Sequence, residues 1–153
     1  LLSLLLMFIG GSPVGTAGGI KTVTAAVLLS ITVSMIGGKT SVSLFGRTIS
    51  KQAVYKAVAV AVMSFSVMLV STLLLSAVTN APALDILFET VSATATVGLS
   101  RSLTGALNLL GKLIIIFTMY FGRVGPISIA IAFGGKNPSR NIIKNPTEEI
   151  SIG

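Results

Sequence analysis

The sequence has no cysteine, no histidine and no tryptophan, and only 4 acidic residues stand against 11 lysines and arginines. The first two absences exclude a disulfide framework, a cysteine nucleophile, the usual zinc-binding sets and a Ser-His-Asp arrangement. With no acidic cluster either, nothing remains on which to build an enzyme. Charge itself is scarce: 10% of 153 residues are charged and 52% are hydrophobic, and the mean hydropathy is +0.96. That balance lies far from a soluble domain's, so the chain reads as an all-α integral membrane protein surrounded by lipid. The net charge of +7 gathers near the ends of apolar runs. It lacks the basic face and interleaved aromatics of a nucleic-acid binder, so membrane topology is its plainer cause.

An apolar run is already under way at Leu1, with no positively charged leader before it, as expected of a fragment that starts inside a span. Residues 1–36 read as one outer-to-inner transmembrane helix, broken at 10–19 by Gly10, Gly11, Ser12, Pro13, Gly15, Thr16, Gly18 and Gly19. At about 1 kcal/mol per Gly and about 3 for Pro, no helix continues through such a stretch. A phosphate-cradling loop needs Gly directly before Lys-Ser/Thr, whereas Ile20 separates Gly19 from Lys21. Two readings remain: a packing kink, or an unwound segment that lines a transport path with free backbone groups and small side chains. The second suits a gate.

Residues 37–56 form a polar connection with Lys39, Arg47, Lys51 and Lys56 and no acid, cytoplasmic by the positive-inside rule, with a short interfacial element anticipated over 42–49. The uncharged stretch 57–79, about 34 Å as a helix, is long enough to span and delivers Asn80 to the outside. The apolar helix that follows, over 82–94, covers only about half of a 30 Å hydrocarbon core. It enters the membrane and must return, and non-helical backbone at that depth is tolerated only where it lines a cavity. The return limb is Thr96-Val97-Gly98-Leu99-Ser100. Gly98 reaches backbone angles closed to other residues, which lets successive carbonyls turn toward one axis and replace an ion's hydration shell; the plainer reading is a re-entrant loop that merely packs. The Thr96 hydroxyl offers one more ligand, and the negative end of the 82–94 helix favours a cation there.

A last span over 103–133 carries Arg123, roughly 16 Å beyond Lys112 along the helix. An arginine at that depth faces protein or water and needs acceptors. The carbonyls of segment 10–19 supply them, so Arg123 is the expected latch of that loop; the plainer reading has it reach the inner interface. Glu89 shares a helix face with Asp85 and Ser92 and is expected to brace the return limb, by accepting from its amides or pairing with Arg101; the alternative, an ion ligand, carries the cost of desolvating a bare carboxylate. A basic tail over 134–153 completes an inside-facing C-terminus.

Three of these stretches occur together, in order: Gly10-Gly11-Ser12-Pro13-Val14-Gly15-Thr16-Ala17-Gly18-Gly19-Ile20-Lys21-Thr22, then Phe88-Glu89 with Thr96-Val97-Gly98-Leu99-Ser100, then Gly122-Arg123-Val124-Gly125-Pro126. In this the chain resembles the Trk/Ktr/HKT superfamily of potassium transporters, in particular their KtrB/TrkH-like pore subunits. The resemblance implies four helix, pore-loop, helix repeats around one pore, with 1–36 ending repeat three and 57–133 forming repeat four. It implies K⁺ as the transported ion, with Na⁺ as the alternative, held at Thr96, Val97, Gly98 and Leu99. It further implies an intramembrane gate at 10–19, Arg123 beside it, and no cofactor in this chain. The expected partners are the missing N-terminal repeats, a second copy forming a homodimer in the plasma membrane, and a cytoplasmic nucleotide-binding regulatory subunit. Two other readings come from the residues alone: a carrier whose broken helix binds a small anionic solute, and a membrane scaffold that transports nothing.

Overall fold

A computed structural model describes residues 2–12, 18–38, 43–44 and 47–125. The elements are α1 (Leu2–Phe8), α2 (Thr22–Ile36), β1 (Ser43–Leu44), β2 (Arg47–Thr48), α3 (Lys51–Val78), α4 (Ala83–Thr94), α5 (Leu103–Ala106) and α6 (Leu109–Val124). The protein is mostly helical, as expected. Among the described residues the non-helical element is a minimal antiparallel ladder, β1 with β2, pairing Ser43 with Thr48 and Leu44 with Arg47, within the 42–49 stretch where a short element was anticipated.

Two helix boundaries differ from the sequence reading, each because of a cap. α3 starts at Lys51, six positions before the expected 57, because the Ser50 hydroxyl accepts from the Ala53 amide at 3.3 Å and starts the helix there. The single helix expected over 103–133 is instead α5 and α6. Asn108 lies between them in extended conformation, and its side-chain oxygen accepts from Gly111 N at 2.8 Å. An Asn that satisfies the first turn of a new helix competes with continuation of the old one. Residues 126–133 and the tail 134–153 lie outside the described residues.

α3 has 28 residues, about 42 Å of helix, and is long and apolar enough to cross a membrane. Only Ala57, Ser64, Ser71 and Leu75 of it are buried. This narrow seam of mostly small residues lets neighbouring backbones approach closely. The hydroxyls on and beside the seam tie the helices together: Thr118 donates to Ser71 Oγ at 2.7 Å, and Thr72 Oγ1 lies 2.8 Å from Thr90 Oγ1.

α4 is the centre, packed against α1, α3 and α6. Every residue from Glu89 to Ala95 is buried, and nearly two turns without an exposed position leave no face of the helix open. Ile86 and Ala93 join Leu75, Leu103, Leu107 and Ile115 in one apolar cluster, while Val91 joins Leu4 and Met7 in another.

Candidate functional site

The candidate site is built at the C-terminal end of α4. Ala95 N bonds Val91 O, Thr96 N bonds Ala93 O at 3.1 Å, and Val97 N bonds Ser92 O at 3.0 Å. The last two bonds make a Schellman cap, in which the residue after the cap adopts the left-handed conformation and is usually Gly. Here it is Thr96, with φ 54°. A β-branched residue in that region is a true outlier, at a cost of about 1–2 kcal/mol. Its hydroxyl has a use: Thr96 Oγ1 accepts from the Gly18 amide at 2.8 Å, across 78 residues of sequence.

That bond joins two of the predicted motifs, and the third closes the junction. A Cβ on Gly18 would lie 2.9 Å from both the Thr96 side chain and the Gly122 carbonyl oxygen. A Cβ on Gly122 would lie 2.2 Å from the Thr94 carbonyl oxygen. Gly19, φ +71°, sits against Ala95. The Gly-rich segment, the end of α4 and the end of α6 therefore meet at glycines, with backbone against backbone. A small cavity of about 70 Å³ beside the junction is walled by Gly19, Ser64, Thr94 and Gly122 among others.

The flanks of the Gly-rich segment are tied to each other. Ile9 and Ile20 form a parallel bridge, with Gly10 N on Ile20 O at 2.7 Å, Ile20 N on Phe8 O at 3.3 Å and Thr22 N on Gly11 O at 3.3 Å. Gly10, Gly11, Ser12, Gly18 and Gly19 are thus placed; Pro13, Gly15 and Thr16 lie outside the described residues. Arg123 occupies the last turn of α6, where the helix's partly negative end favours a cation, directly after Gly122.

Beyond Thr96 the chain leaves the helix and emerges from the core: Val97 is 44% and Leu99 55% exposed, although Ala95 is 1% exposed. Gly98 has φ +83°, and Val97 and Leu99 have negative φ, so the hand of the backbone alternates over 96–99. An extended strand turns successive carbonyls to opposite sides. Alternation of hand gathers the N–H groups on one side and leaves the carbonyls on the other.

Glu89, 4% exposed, accepts from Ser100 Oγ at 2.8 Å and from Thr104 Oγ1. The expected pairing of Glu89 with Arg101 is corrected: Arg101 lies 3.2 Å from Asp85, one turn earlier on α4. The return limb is shorter of amide donors than the sequence reading assumed, because the Thr96 and Val97 amides are already used in the cap. Neither the Thr96 cap nor the Gly122 contact was anticipated. A Gly in the last turn of an apolar helix was their one visible sign.

The dual role of Thr96 is testable. Thr96→Gly removes about 1–2 kcal/mol of left-handed strain but leaves the Gly18 amide without its acceptor, a penalty of about 1–3 kcal/mol, so the two largely offset and thermal stability in detergent should change little. Thr96→Val keeps the strain and orphans the Gly18 amide, a penalty of about 1–3 kcal/mol. Equal unfolding temperatures for the two variants would contradict this account.

A family model described as TrkH, cation transport protein, matches residues 1–145. The chain is 39% identical over 151 residues to the Ktr system potassium uptake protein B of Bacillus subtilis (strain 168), covering 99% of this chain and 34% of that protein. It is 40% identical over 158 residues to the potassium/sodium uptake protein NtpJ of Enterococcus hirae, covering 100% and 35% respectively. With the Ktr system potassium uptake protein B of Vibrio alginolyticus the identity is 36% over 153 residues, covering 100% and 33%. The chain spans about a third of the length of the curated relatives it matches.

Proposed function

The chain belongs to the TrkH family of cation transport proteins, and from that premise we propose that it supplies one quarter of the pore wall of a potassium uptake system. It is a membrane protein of a transporter family, and the proposed role is conduction, without catalysis and without a cofactor of its own. The observation that carries the reading is the alternating backbone hand at Thr96 and Gly98, in an exposed limb at the buried C-terminal end of α4. Carbonyls gathered on one side of such a limb substitute for water around an alkali cation. K⁺ is the proposed cargo, held by Thr96, Val97, Gly98 and Leu99. Na⁺ is the competing ion, and one relative is named for both.

The Gly-rich segment is the proposed gate below this filter. Its Gly18 amide holds the Thr96 hydroxyl, so displacement of the segment frees a filter ligand. The cavity beside Gly19 leaves room for that displacement. Arg123, next to the Gly122 carbonyl against which Gly18 packs, is the proposed latch, and Glu89 the proposed brace through Ser100 and Thr104. The division into 1–36, 37–56, 57–133 and 134–153 follows the repeat plan. So do a homodimer in the cell membrane, cytoplasmic placement of 37–56 and of the C-terminus, and a nucleotide-binding regulatory subunit on that side. Two relatives are named as parts of Ktr systems, which supports a partnered assembly.

Reconstitution tests both parts. Liposomes holding the complete transporter should accumulate rubidium down a K⁺ gradient, with K⁺ competing better than Na⁺ and with anionic solutes inert. Arg123→Ala should raise the basal flux by loosening the latch. Uptake no faster than in empty liposomes would dismiss conduction, and an unchanged basal flux in Arg123→Ala at normal abundance would dismiss the latch.

A further inference from the structure

Two carboxylates one turn apart on α4 divide the return limb between them. Glu89 is buried and holds hydroxyls on both sides of Arg101, those of Ser100 and Thr104. Asp85 is in the first turn of α4 and meets the guanidinium itself, Nη1 to Oδ1 at 3.2 Å. The pair is partly open, with side-chain exposures of 46% for Arg101 and 25% for Asp85. As a strap, such an open ion pair contributes little. Its position gives it another use.

Arg101 follows Leu99 by two residues, so its Cα lies within about 7 Å of the end of the proposed filter limb. Its charge sits at the end of a long side chain rooted there, so it acts on an arriving cation over a distance on the order of a Debye length, about 8–10 Å. An unbalanced arginine at that place repels the ion the limb is built to accept. We propose that Asp85 neutralises Arg101 and thereby sets the apparent affinity for the entering cation, an assignment that rests on residues 96–99 being the filter. Asp85 is a positioning residue of the entrance field and touches no ion. Glu89 fixes the limb's shape, and Asp85 fixes its charge.

A unit charge about 10 Å away, at an effective dielectric constant between that of water and about 20, changes ion occupancy roughly two- to fifteenfold. Asp85→Asn in the complete transporter should raise KM for rubidium by that factor and lower the maximal rate much less. The increase should collapse in about 0.5 M impermeant salt, where the Debye length falls to roughly 4 Å. Arg101→Gln should lower KM, and Asp85→Asn combined with Arg101→Gln should return it close to the starting value. A double variant worse than either single one, or a KM shift indifferent to salt, would mean the pair is only a strap and would overturn the proposal. If Asp85→Asn leaves KM unchanged while Gly98→Val abolishes uptake, the charge assignment fails and the filter stands. If Gly98→Val transports normally, the filter reading fails and takes this inference with it.

Discussion

Gly98→Val should abolish rubidium and potassium uptake by the complete transporter while its abundance in the membrane stays normal. The reason is conformational, not steric: a Cβ at Gly98 meets nothing within 4 Å. What bars valine is φ +83°, a region that costs an ordinary L-residue about 1–2 kcal/mol and a β-branched one more. The limb is exposed and lightly packed, so it escapes that cost by rotating the adjoining peptides instead of unfolding. Rotation returns residue 98 to negative φ, ends the alternation of hand with Thr96, and swings a carbonyl away from its neighbours. A cation that has shed its water then finds an incomplete shell. Gly98→Ala should show a smaller loss in the same direction. Wild-type rate and ion preference in the valine variant would remove 96–99 from the pore.

Gly122→Ala should damage folding instead. The added methyl would fall 2.2 Å from the Thr94 carbonyl oxygen and 2.9 Å from its carbon. Both atoms belong to the main chain in the buried C-terminal half of α4, so no side chain can step aside. Overpacking a core ordinarily costs about 1–3 kcal/mol, and a clash with backbone belongs at or above the top of that range. Parting α6 from α4 would also withdraw the Gly122 carbonyl from Gly18. The expected readout is a lower unfolding temperature in detergent and a smaller monodisperse fraction. Gly105→Ala is the control: it lies in helical α5, and a Cβ there meets nothing within 4 Å. It should hold or raise stability, since Ala is favoured over Gly in helices by about 1 kcal/mol. Equal behaviour of the two variants would mean the close approach at Gly122 is unimportant.

These glycines also show which parts of the molecule are legible in sequence. The break was plain, because Gly and Pro density at 10–19 acts locally and strongly. The short α4 and the long α3 followed from length alone. The caps were harder. Ser50 and Asn108 each moved a boundary, and each signal was outweighed by the apolar run around it. The packing face of α3 was hidden for a different reason. A helix in lipid carries apolar side chains outward, so hydrophobic periodicity fades, and its buried seam is marked instead by small residues seven apart at 57, 64 and 71. Thr96 was singled out as an ion ligand, yet its left-handed backbone and its bond to Gly18 could not be foreseen. Statistics favour Gly at that cap, and the partner lies 78 positions away.

The parallel bridge of Ile9 with Ile20, reinforced at Gly10 and Thr22, works as a clasp between two helices that follow one another in the chain. A movement of either flank has to carry the other with it, so the end of α1 and the start of α2 are held at a fixed separation where the Gly-rich segment leaves and rejoins them.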